Sequence, residues 1–120
     1  MTPSEPRGEE AQREQPQRQE SERPAPASGS GAQLNAQGFE LMNQGRYDAA
    51  IPVLQRAVEA FPSGTRDLQY AYALYNLGRS LRLAGRPAEA VPILERRLEI
   101  PNQRGTVKRE LKAARRDAGR

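Results

Sequence analysis

Tyr72, Tyr75, Arg79 and Arg82 recur at steps of three and four residues, so on a helix they share one face. Their chemistry is recognition rather than bond-making. Phenol rings offer flat amphipathic area and a seat for a cation, and guanidinium forks hold carboxylates with two parallel hydrogen bonds. Tyrosine and arginine also concentrate binding energy at protein interfaces. Leu68 extends this face. The other side of the same stretch, Tyr70, Leu74, Leu77 and Leu81, is apolar as well, so one side is expected to pack and the other to meet a partner. The competing reading packs Tyr72 and Tyr75 against the preceding helix and leaves the arginines solvated. Upstream, Asn35, Phe39 and Met42 share a second face of this kind.

Residues for bond-making are scarce. The chain has no histidine and no cysteine, which removes thiolate nucleophiles, disulfides, imidazole bases and the usual zinc ligand sets. It holds no Gly-rich phosphate loop of the P-loop or dinucleotide type, and Glu40, Asp48, Glu89 and Glu95 fall on expected outer faces. No catalytic residue, metal site or cofactor is expected, and the chain reads as a non-enzyme. No run approaches the roughly 18 to 20 consecutive apolar residues needed to span a bilayer, and the N-terminus lacks the apolar stretch of a secretory signal. A soluble, cytoplasmic chain is the expectation.

At 120 residues, with 36% hydrophobic and 28% charged residues, the chain has room for one small core. Its net charge of +4 is unevenly spread. Residues 1–33 carry four arginines against six glutamates, residues 34–102 eight arginines against seven acids, and residues 103–120 seven bases against two acids. The positive charge belongs to the C-terminal segment.

The elements that position these groups emerge from an internal repeat. A shift of forty residues places Leu34 on Leu74, Gly38 on Gly78, Leu41 on Leu81, Gly45 on Gly85, Arg46 on Arg86 and Ala50 on Ala90. The run continues through Ile51 on Val91, Pro52 on Pro92, Leu54 on Leu94 and Glu59 on Glu99. Each unit reads as two antiparallel helices with a stop at Gly45 or Gly85. Pro62 or Pro101 ends the second helix. Gly38 with Ala50, and Gly78 with Ala90, are the small residues expected to let the paired helices approach.

The segments Gly45-Arg46-Tyr47-Asp48-Ala49-Ala50 and Asn76 to Ala90 make this chain resemble the tetratricopeptide repeat family over roughly residues 33 to 102. The resemblance implies an all-α fold: a solenoid of two antiparallel helix hairpins over 32–62 and 65–102. Three features depart from the family pattern. The forty-residue period exceeds the usual 34. Arg97 stands where the first unit has Ala57, and Pro52 and Pro92 lie early in the second helices. The extra residues fall in Phe61 to Leu68, implying a longer loop or longer helices.

Flanking this block, residues 1–31 run in Glu, Gln, Arg, Pro, Ser and Gly and read as a disordered tail ending in the flexible joint Ala27 to Gly31. Residues 103–120 read as a basic capping helix with Val107, Leu111, Ala114 and Ala118 on its packing stripe.

The resemblance further implies that the first helices line a groove for a peptide or partner protein. Asn35, Phe39, Met42, Tyr72, Tyr75, Arg79 and Arg82 are its candidate residues, while Gly38, Ala50, Gly78 and Ala90 are structural repeat positions. Some relatives grip a partner's C-terminal carboxylate with lysines and asparagines. Asn35 and Asn76 can serve as two such polar members, but Phe39 stands where an asparagine is expected and the inner-face lysines are missing. An acidic or aromatic peptide suits the two arginines and two tyrosines better. Two other readings remain open. The chain can be a docking or dimerisation appendage of a larger bacterial signalling protein, a compositional inference aided by seventeen arginines against two lysines. Alternatively, Arg104, Lys108, Arg109, Lys112, Arg115 and Arg116 can contact nucleic-acid phosphates without reading sequence.

Overall fold

The computed structural model describes residues 28–119. Of the tail expected over residues 1–31, residues 1–27 lie outside the described residues. Helices α1 (Ser28–Asn43), α2 (Tyr47–Glu59), α3 (Leu68–Leu83), α4 (Pro87–Leu98) and α5 (Arg104–Asp117) follow one another with no strand among the described residues. Helix α1 packs on α2 and α3 on α4; α2 also meets α3, α4 meets α5, and α3 touches both α1 and α5. The result is two stacked helix hairpins closed by a fifth helix. No helix among the described residues is long and apolar enough to cross a membrane.

The repeat is visible in the backbone. Helices α2 and α4 begin forty residues apart, at Tyr47 and Pro87. Each is preceded by a glycine in the left-handed region, Gly45 at φ 76° and Gly85 at φ 86°, where a Cβ is strained. The same hydrogen bond closes both turns: the Arg46 N–H donates to the Leu41 carbonyl at 2.9 Å and the Arg86 N–H to Leu81 at 2.8 Å. Asp48 and Glu89 sit in the first turns of α2 and α4, where the helix dipole favours negative charge. Pro87 fits the first turn of α4 because no N–H partner is needed there.

Leu54, Leu74, Leu94, Ala50 and Ala90 are fully excluded from solvent and form the seam of the hairpins. Burying each leucine contributes on the order of 1.5–3 kcal/mol. The close approach at Gly38 and Gly78 differs in detail from the sequence expectation. A Cβ on Gly78 would lie 2.6 Å from Cγ and Cδ2 of Leu94, and one on Gly38 would strike Leu54. The facing residue is therefore a leucine one turn beyond Ala50 and Ala90. The glycine makes room for a large side chain, while the alanines are buried beside it.

The first hairpin also begins earlier than the sequence reading placed it. Ser28 to Gly31, assigned there to a flexible joint, lie in the first turn of α1. Gly31 is buried against the ring of Phe61, which would overlap any added Cβ. Phe61 in turn meets Tyr70 edge-on, with ring centroids 5.7 Å apart. The Tyr70, Leu74, Leu77 and Leu81 side of α3 is thus packed, and on the other side Tyr75 also lies against the core.

Helices α1 and α3 both have 16 residues, and the connections after α2 and α4 differ in length. Residues 60–67 join α2 to α3, whereas the shorter segment 99–103 joins α4 to α5. Asp67 ends the longer loop as an N-cap, its carboxylate accepting the Gln69 N–H at 2.8 Å.

Candidate functional site

A cleft of about 310 Å³ opens where α1, α3 and the start of α5 converge. Helix α1 contributes Asn35 and Phe39, and α3 contributes Tyr72, Tyr75 and Asn76. The Asn76 side-chain amide donates to the Asn35 side-chain oxygen at 2.9 Å, both residues being 8% exposed. This buried bond fixes the spacing of α1 and α3. Phe39 stands at the rim, 50% exposed, an unusual position for so large an apolar ring. Tyr72 and Tyr75 are half-buried, so each presents part of its ring to the cleft. Gln103, Thr106 and Val107 complete the wall.

Four of the seven residues expected in the groove therefore line one cleft: Asn35, Phe39, Tyr72 and Tyr75. Met42 does not. It is 8% exposed and belongs to the hydrophobic core with Leu54 and Leu77, because the α1 surface turns inward there against α2 and α3. Leu68, on the tyrosine side of α3, is 45% exposed but does not line the cleft.

Arg79 and Arg82 also sit outside the cleft lining; both turn to acids of α5, Arg82 being 15% exposed and Arg79 41%. Arg79 donates to Glu110 at 3.0 Å. Arg82 grips both oxygens of the same carboxylate and donates to Asp117 at 3.2 Å. Glu110 is 5% exposed, so this pairing is largely withdrawn from water. Hydrogen bonding to Glu110, and to a smaller extent to Asp117, holds the Arg82 charge more firmly than usual against the opposing effect of burial. Asp117 is held below the ordinary aspartate range, chiefly by its bond to Arg82 and then by Arg116. Sequence reading took Glu110 for one acid in a basic capping helix. Its position one turn before Ala114, on the packing stripe, was the available signal.

Arg97, like Gln103, Thr106 and Val107, is a cleft residue that sequence reading did not assign to the groove. It lines the cleft and is 1% exposed. One guanidinium nitrogen donates to the Ile100 carbonyl at 3.1 Å, and the other to the Asn102 carbonyl at 2.8 Å and its side-chain oxygen at 2.9 Å. These bonds shape the turn that delivers Gln103, in the left-handed region at φ 51°, to the start of α5. Among the described residues its Nε–H has no partner. Burial lowers the Arg97 pKa from the ordinary arginine value, opposed only by Tyr72. The departure from the repeat at this position, arginine in place of Ala57, marked it in the sequence.

A second cleft of about 690 Å³ lies between α4 and α5, with Leu98 and Leu111 beneath Lys108, Lys112, Arg115 and Arg116. Part of this basic surface is neutralised: Arg115 pairs with Glu95 at 2.9 Å and Arg116 with Asp117 at 3.1 Å. Though larger, this cleft is more open, and it contains none of the candidate groove residues.

A tetratricopeptide repeat model matches residues 32–103, which takes in both hairpins and stops at the start of α5. A comparison with curated proteins finds no match. The matched span, the two glycine-closed turns and the stacked hairpins agree: the chain belongs to the tetratricopeptide repeat family.

Proposed function

We propose that this chain is a non-catalytic interaction module that receives an extended segment of a partner protein in the cleft between α1, α3 and α5. The observation that carries this reading is a half-exposed aromatic rim, Phe39, beside two partly buried tyrosines, over a floor whose amides are already aligned by the Asn35–Asn76 bond. Such a surface favours binding because its rigid rings lose little conformational freedom when a partner covers them. Arg79 and Arg82 serve this reading from behind, by fastening α5 against α3 so that the cleft has a third wall. Affinity capture tests it by comparing the intact chain with a Phe39→Ser, Tyr72→Ala variant of unchanged helical circular dichroism. A partner retained by the first and lost by the second supports recognition in the cleft; equal retention refutes it.

The cleft between α4 and α5 favours a second reading, in which a second copy of the chain or a larger protein docks at the end of the array. A concentration-independent monomer mass by light scattering removes self-association. Nucleic-acid binding through α5 is the weaker reading, because Arg115 and Arg116 already face carboxylates. A cytoplasmic, bacterial setting completes the proposal.

A further inference from the structure

Arg97 presents an electrostatic imbalance inside the cleft. A buried guanidinium is costly unless a carboxylate faces it. No ion pair to Arg97 occurs among the described residues. Glu110, the buried acid of the neighbouring α5, is fully engaged by Arg79 and Arg82. The partners that Arg97 does have are neutral: the carbonyls of Ile100 and Asn102 and the Asn102 amide oxygen. They orient the guanidinium without cancelling its charge, and they leave the Nε–H unused.

From this uncompensated cation we infer that the floor of the cleft is an oxyanion-binding subsite, which takes the carboxylate of an acidic residue in the partner peptide. This inference rests on the reading of the cleft as the partner site and names what is read there. The chemistry fits in three respects. The cleft volume of about 310 Å³ accommodates a glutamate side chain together with a neighbouring apolar one. Exposed Thr106 and Gln103 supply neutral donors, and half-buried Tyr72 and Tyr75 supply aromatic walls. At a guanidinium only 1% exposed, the attraction to a carboxylate is stronger than at the open surface. Recognition shifts accordingly from Arg79 and Arg82, which hold α5, to Arg97, which alone among these arginines lines the cleft.

The test uses the full chain, labelled with ¹⁵N so that the Arg97 Nε–H is observed directly. Three short peptides of the same apolar sequence serve as probes: one with a central glutamate and blocked ends, one with glutamine there and blocked ends, and one with glutamine and a free C-terminal carboxylate. Sodium acetate is the minimal probe. The expected result is a saturable shift of the Arg97 Nε–H with acetate and with the glutamate peptide, and at least roughly tenfold tighter binding of that peptide than of its blocked glutamine counterpart. Arg97→Met, with helical circular dichroism retained, is expected to abolish the preference, so that the glutamate and blocked glutamine peptides bind alike. Arg97→Lys keeps the charge without the Nε–H and is expected to restore part of it. A preference shown only by the free-carboxylate peptide overturns the side-chain source in favour of a chain terminus. Equal affinity for all three peptides, lost in Phe39→Ser, overturns the oxyanion subsite and leaves the cleft as the partner site. An Arg97 Nε–H that acetate and all three peptides leave unmoved overturns the subsite as well.

Discussion

Glu110 of α5 receives Arg79 of α3 at 3.0 Å across 31 residues of chain. That pairing, with Arg82 on the same carboxylate, is what turns a basic terminal helix into the third wall of the cleft. Buried charge-assisted bonds of this kind are costly to leave half-made, since removing one partner strands the other.

Glu110→Gln is therefore expected to destabilise the chain by about 2 kcal/mol, measured by urea unfolding. The loss is expected to be local first. Amide exchange should quicken in α5 while α1 and α2 keep their protection, because among the described helices α5 meets only α3 and α4. Uniform loss of protection would contradict this account.

The glycine seam predicts a change of sign. Gly78→Ala places a methyl 2.6 Å from fully buried Leu94, and the overpacking costs about 1–3 kcal/mol against a helix-propensity gain of about 1 kcal/mol. The net effect is expected to be destabilising. In a Leu94→Ala background the obstruction is gone, so the same substitution should stabilise. Thermal unfolding of the four members of this cycle checks the coupling.

Legibility followed distance along the chain. The forty-residue repeat fixes the two turns and both hairpins in advance, since each depends on residues within a few positions of Gly45 and Gly85. What it conceals are contacts between elements. Met42 shares a helical face with Asn35 and Phe39, yet it lies in the core with Leu54 of α2 and Leu77 of α3. Arg79 and Arg82 looked free because their partner Glu110 lies about thirty residues downstream. Gly31 looked like a joint because its small size suits a flexible linker as well as a close approach to Phe61. Arg97 broke the repeat at Ala57, and that break located it but did not reveal its burial.

Acid should loosen the same clamp. The Asp117 carboxyl is held below its ordinary range by Arg82, so its contribution is present above the unfolded aspartate value and is lost as pH falls through the lower folded value. Asp117→Asn is thus expected to be less stable than the intact chain near neutral pH, and the difference should vanish well below about pH 4. Glu89, also lowered by its pairing with Arg86, contributes equally to both proteins and cancels. A stability difference that grew on acidification would contradict the assignment.

The claim that the cleft between α1, α3 and α5 receives the partner is tested most directly by photo-cross-linking. A benzophenone side chain placed at position 39, on the cleft rim, is compared with one at exposed position 55 on α2, away from the cleft lining. The account predicts a discrete protein adduct from position 39 and none from position 55, with the adduct suppressed by Tyr72→Ala. Adducts formed equally from both positions, or from position 55 alone, would contradict it.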